Sequence, residues 1–183
     1  GEVSGNYATL NAAFGTVTGS TNSPENGNLT VDGGSSANFS PTTIPVTSGK
    51  WYVEVTVAGS GNSSTVGIWK MPMTYGTNYY QNENYRYYQQ DGKIYDESGA
   101  TSTTYAAGDV IGIALDMDNG KVFFSKNGTF QGSSVPASGT NPAASGLSGT
   151  WAIALQAGAS TSHTLHLNAG QRSFSYSAPT GFK

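Results

Sequence analysis

Cysteine is missing from this chain, and charge is scarce. Without a thiol, its 183 residues form no disulfide framework and support no thiolate chemistry. Asp, Glu, Lys and Arg make up 10% of the residues and leave a net charge of −3, whereas globular domains average about 25% charged residues. A groove that neutralises a run of phosphates needs many more cations, so no nucleic-acid partner is expected. No apolar stretch approaches the roughly 20 residues of a membrane-spanning helix, and no signal-peptide pattern is present. Membrane insertion is therefore not expected.

Hydroxyls and amides supply what charge does not. Ser, Thr, Asn, Gln and 25 Gly dominate, with 11 Tyr among them. Such a surface makes contacts through hydrogen bonds and aromatic faces, with little dependence on salt. The length suits one domain, long enough to bury roughly 70% of the surface exposed by the unfolded chain. Residues 1–6 read as linker and 7–183 as the domain. The chain opens on Gly1 rather than Met, as expected of a segment of a longer polypeptide, whose oligomeric state the sequence leaves open.

Helical periodicity is absent. Short alternating runs are separated by Gly, Ser, Asn and Pro clusters, the pattern of an all-β sandwich. Lys50 to Val57 is the firmest strand, with Trp51, Val53, Val55 and Val57 on one face and Tyr52, Glu54 and Thr56 on the other. Asn28 to Val31 and Thr43 to Val46 read as short edge strands, and Thr65 to Trp69 as another strand. Tyr85 to Gln90 and Lys93 to Tyr95 form a hairpin about Asp91-Gly92. Trp151 to Ala157 pairs with His163 to Leu167, and Phe174 with Tyr176 is expected to close an edge. Three connections exceed the usual length: Gly19 to Gly27, Met71 to Asn84, and Ser133 to Ser148, the last reading as a flexible surface loop.

Gly108 to Gly128, GDVIGIALDMDNGKVFFSKNG, carries the most information. Asn119-Gly120 reads as a two-residue turn with positive φ at both positions. That turn sets Asp118 opposite Lys121, Met117 opposite Val122 and Leu115 opposite Phe124. One face then holds Ile111, Ile113, Leu115, Met117, Val122 and Phe124. The other holds Ala114, Asp116, Asp118, Lys121, Phe123 and Ser125. A slip of one residue would mix them.

The same stretch resembles the core signature of SPRY domains. The likeness continues in order through NGNLTVDGG (Asn26 to Gly34), SGKWYVEVTV (Ser48 to Val57) and YYQQDGKIYD (Tyr87 to Asp96). It then runs on to LSGTWAIAL (Leu147 to Leu155) and NAGQRSFSYSAPTGFK (Asn168 to Lys183). The resemblance implies an all-β, antiparallel two-sheet β-sandwich, a concanavalin A-like SPRY jelly roll. The composition and the PTGFK ending look most like SPRY-type domains of bacteriophage structural proteins. They imply a non-catalytic recognition module on a virion surface, in a tail fibre or on the capsid exterior. Its expected partner is a host-surface glycan or protein. The alternatives are a decoration domain that contacts neighbouring virion subunits, or a cellular adaptor that grips a peptide.

The candidate contact residues lie around the second long connection. Trp69, Tyr75, Tyr79, Tyr80, Tyr85, Tyr87 and Tyr88 are interleaved there with Asn78, Gln81, Asn82, Asn84 and Arg86. Aromatic faces beside amides suit saccharides, and Tyr suits protein contacts. Tyr85, Tyr87 and Tyr88 read as sheet packing, whereas Trp69, Tyr75, Asn78, Tyr79, Tyr80 and Arg86 are the expected ligand contacts. In SPRY domains partners are bound by loops at one end of the sandwich, and this loop corresponds to that variable region.

No catalytic residue, cofactor or metal is expected. Asp116 to Gly120 lacks the later oxygen ligands and twelfth-position Glu of an EF-hand loop, and SPRY domains typically bind no calcium. No strand pairs two acids across an aromatic cleft as a glycosidase needs. No G-x-S-x-G nucleophile motif occurs, and His163 and His166 fall on opposite faces of their strand. Four glycosylation sequons, at Asn28, Asn38, Asn62 and Asn127, are expected by chance in so Asn-rich a chain. Asn127 reads as a turn residue with positive φ.

Overall fold

The computed structural model describes residues 5–14, 20–21, 23–34, 37–59, 63–73, 84–95, 102–159 and 163–183. In chain order the strands are β1 (Ser20–Thr21), β2 (Thr30–Asp32), β3 (Ala37–Pro41), β4 (Lys50–Val57), β5 (Thr65–Met71) and β6 (Tyr85–Gln89). They continue as β7 (Ile94–Tyr95), β8 (Val110–Asp116), β9 (Lys121–Lys126), β10 (Thr129–Phe130), β11 (Thr150–Ala157) and β12 (Thr164–Asn168). One sheet runs β1-β3-β11-β5-β6-β7 and the other β10-β9-β8-β4-β12-β2. All neighbours are antiparallel except β1 and β3. The expected antiparallel two-sheet sandwich is what forms.

Alternation builds the core. Val53, Val55 and Val57 of β4, Ile111, Ile113 and Leu115 of β8, and Val66 and Ile68 of β5 all point between the sheets. They meet Trp151, Ile153 and Leu155 of β11 in one cluster. Both outer faces are also partly covered. Phe39, Trp69, Tyr85 and Tyr87 pack outside the first sheet, and Tyr52, Ala114, Phe123 and Phe182 outside the second. The second cover is the C-terminal segment after β12. Tyr52 N donates to Lys183 O at 2.9 Å and Lys183 N to Lys50 O at 3.1 Å. Ser175 N and Tyr176 N donate to the Glu54 carboxylate at 2.7 and 2.8 Å. Burying one Phe side chain contributes about 1.5–3 kcal/mol, so Phe182 adds materially to the hold of this strap.

Five expectations need correction. β11 and β12, read as a pair, lie in different sheets: β11 stands between β3 and β5, and β12 between β4 and β2. The β8–β9 hairpin pairs Asp116 with Lys121 and Leu115 with Val122, two residues from the register predicted from a two-residue turn. The loop spans Met117 to Gly120, and Gly120 alone has positive φ, at 61°. The cause is Asp116: its carboxylate accepts from Asn119 N at 3.0 Å and Asn119 Nδ2 at 2.8 Å, and pairs with Lys50 at 3.0 Å. Because the shift is even, every side chain keeps its face, and the apolar set stands in the core.

The expected strand at Thr43 to Val46 does not form. Pro45 has no N–H to give a ladder, and the strand lies at Ala37–Pro41 instead, with Val46 making one bridge to Trp151. Phe174 and Tyr176 belong to the strap and close no edge. The Ser133 to Ser148 connection is pinned: Ala144 and Leu147 enter the core, and Lys121 Nζ donates to Gly139 O at 2.8 Å.

Candidate functional site

Both sheets begin a strand with the same local device. Ser48-Gly49-Lys50-Trp51 opens β4 and Ser148-Gly149-Thr150-Trp151 opens β11. Gly49 and Gly149 take φ of 87° and 84°, a conformation only glycine adopts without strain. The Trp51 indole folds back across its glycine, so that a Cβ on Gly49 would lie 3.1 Å from Trp51 Nε1, whereas a Cβ on Gly149 would meet Lys70 Cε at 3.6 Å. Trp51 Nε1 donates to Ser48 O at 2.7 Å, and Trp151 Nε1 to Ser148 O at 3.1 Å. Each ring is thereby fixed at the same end of the sandwich, one from each sheet.

Between them opens a cleft of about 260 Å³. Ile44, Val46, Leu115, Ile153 and Phe174 add to its apolar wall. Ile44 is 38% exposed, one of two exposed large apolar side chains among the described residues. The strap contributes Phe174, which meets Tyr52 edge-on at 5.0 Å, and Lys183, whose Nζ lies 5.0 Å from the Trp51 ring centroid. Burial first, then the neighbouring Glu54 carboxylate, pushes the Tyr52 phenol far above its ordinary value, so it stays protonated.

Beside the cleft is a polar notch of about 200 Å³ that shares Trp151 as a wall. Lys70, Asn84, Arg86, Ser145 and Ser148 line it. The turn of Met117 to Gly120 is braced at the same end, Asp118 Oδ1 accepting from Gly49 N at 2.7 Å. Burial works to raise the Asp116 carboxyl, but Asn119 and Lys50 overcome it and hold the group below the ordinary carboxylate range. These acids are structural braces. Among the described residues no group of three His, Asp or Glu could hold a metal.

The expected contact residues separate. Tyr75, Asn78, Tyr79 and Tyr80 lie outside the described residues; the segment that carries them leaves β5 and enters β6 at the end where the cleft opens. Arg86 lies in the notch. Trp69 points to the outer face of its sheet, 1% exposed, with Phe39 at 5.3 Å and Tyr85 at 4.9 Å. Alternation along β5 forces this, since Ile68 faces inward, and in this position Trp69 supports the sheet without reaching the cleft. Tyr85, Tyr87 and Tyr88 are buried, as the packing reading expects. His166 Nδ1 bonds Thr30 Oγ1 at 2.9 Å, and Asn127 has the expected positive φ of 48°.

Sequence reasoning missed Trp51 and Trp151 as a pair and missed Lys70. Both tryptophans look like ordinary core members of their alternating strands. The readable signal was the repeated Ser-Gly-x-Trp, one copy per sheet.

Three comparisons bear on this arrangement. The family model described as SPRY domain matches residues 50–143, just over half of the chain. A Ran-binding proteins 9/10 homolog from Drosophila melanogaster is 31% identical over 91 residues, 46% of this chain and 10% of that protein. The chain thus spans about a tenth of that relative's length. The crystal structure of the SPRY domain of human HERC1 aligns with a TM-score of 0.66 over 81% of this chain and 92% of that one. At 18% identity that likeness speaks for the fold.

Proposed function

Because the chain belongs to the SPRY domain family, whose members are in general non-catalytic modules of protein–protein interaction, we propose that it binds an extended segment of a partner protein at the Trp51/Trp151 end. The observation that carries the reading is the apolar cleft framed by two locked indoles and a half-exposed Ile44. Buried aromatic anchors with fixed rotamers are the usual centres of binding energy, because little ordering entropy is lost on contact. The loop residues Tyr75, Asn78, Tyr79 and Tyr80, with Arg86, flank the ligand in this proposal.

We further assign the module to the exterior of a virion, touching a host-surface protein. Support comes from the low charge, the amide- and hydroxyl-rich surface and the PTGFK ending. The two relatives named above are cellular proteins, so this setting rests on the sequence alone. A host glycan is the second ligand class, favoured by the tyrosine-and-amide sequence of residues 75–82.

Panning a displayed random-peptide library on the folded domain tests the reading. Selected peptides should bind Ile44→Asp at least about tenfold more weakly, the loss of about 1.4 kcal/mol, and lose binding to the Tyr79→Ala, Tyr80→Ala double variant. Peptides indifferent to Ile44→Asp would remove the cleft from the account. Specific capture on a glycan array, with no peptide selected, would overturn the protein partner.

A further inference from the structure

We infer that the notch beside Trp151 is a carboxylate-binding subsite, so that the partner segment presents an Asp or Glu side chain next to its apolar anchor; this rests on the cleft being the docking site. Strand parity sets the directions of the side chains here. Ile68 faces the core and pairs with both Ile153 and Arg86 across the sheet. Two residues on, Lys70 faces the same way and pairs with Trp151. The inner face of β5 and β6 thus turns from apolar to cationic at its last position. Cations on the inner face of a sandwich break the alternation that builds it, and such local violations concentrate at functional sites.

Nothing among the described residues neutralises Lys70. The described ion pairs are Lys50–Asp116, Lys93–Asp91 and Lys126–Asp109, and Lys70 belongs to none of them. Lys70 shares the notch with Arg86, Asn84, Ser145 and Ser148, and no carboxylate is among the described residues that line it. The Lys70 ammonium with the Ser145 and Ser148 hydroxyls around a pocket of about 200 Å³ fits a small anion. At the mouth of an apolar cleft, a charge-assisted hydrogen bond is worth more than in open water. The shared Trp151 wall makes the two subsites neighbours, so one short peptide segment reaches both.

The test uses two fragments, 3-phenylpropionate and its amide, titrated into the ¹⁵N-labelled protein. The three indole N–H signals of Trp51, Trp69 and Trp151 are followed. The acid should shift Trp51 and Trp151 with about tenfold higher affinity than the amide, and added salt should erode that preference. Lys70→Gln should bring acid and amide together, with an unmoved Trp69 signal certifying the fold. Equal binding of both fragments would overturn the carboxylate subsite and leave the cleft standing. An acid preference that survives Lys70→Gln would also overturn it. Failure of both fragments to move Trp51 or Trp151 would overturn the cleft and the subsite together.

Discussion

Replacing Glu54 with alanine strikes the C-terminal strap at its anchor. Glu54 is 2% exposed, yet it sits on the outer face of β4 where its carboxylate receives Ser175 N and Tyr176 N at 2.7 and 2.8 Å. Tyr52 OH donates to it at 3.3 Å. A hydrogen bond to a charged acceptor contributes about 1.5–3 kcal/mol. Ser175 is exposed and its amide can rehydrate, so the lower end applies to each, giving a loss of about 3 kcal/mol. For a chain of this size that lowers the Tm by roughly 6–12 °C. Glu54→Gln keeps one acceptor and should recover about half. Urea unfolding with a fixed m-value measures the loss, and hydrogen exchange on residues 174–183 locates it. Because Phe174 and Lys183 wall the cleft, Glu54→Ala should also weaken binding there. A Tm within about 2 °C of the parent, with strap exchange unchanged, would refute the anchoring role.

Three further predictions follow from separate contacts. Gly67→Ala would set a Cβ 2.3 Å from Arg86 O and 2.6 Å from Tyr87 Cβ, so the β5–β6 pairing should lose about 3 kcal/mol; an unfolding midpoint equal to the parent's would show that β6 moves freely away. Trp69→Phe should cost less than Trp151→Phe, since Trp69 Nε1 has no acceptor among the described residues while Trp151 loses its bond to Ser148; the reverse order in urea unfolding would contradict the two placements. Asp116 has a folded pKa below its unfolded value, so its contribution is full above the unfolded pKa of roughly 3.9 and vanishes as pH falls through the folded one. Asp116→Asn should therefore flatten the acid limb of stability as pH falls below roughly 3.9, and an unchanged limb would assign that limb to other groups such as Asp109, which is shifted the same way.

How far the sequence can be read depends on which forces act locally. A period of two fixed the faces of β4, β8 and β9, because any odd slip exposes Ile113 and Leu115. The register of the hairpin was out of reach, since Asp116 is committed to Lys50 on a strand far away in sequence. β3 reads Ala-Asn-Phe-Ser-Pro, a strand with one large apolar residue, and only pairing with β11 makes it one. The outer aromatic layers hide for a related reason: Phe123 and Trp69 occupy positions that alternation assigns to solvent. In the candidate site, Arg86 was legible from its aromatic neighbourhood. Lys70 was not, because its inward direction follows from where Ile68 points.

The central claim is that ligands meet this domain at the two Ser-Gly-x-Trp indoles. Titrating a panned peptide to saturation while recording the indole N–H signals tests it most directly. Trp51 and Trp151 should both move, while Trp69, buried on the outer face of its sheet, stays in place. A saturating peptide that leaves Trp51 and Trp151 unmoved would contradict the account.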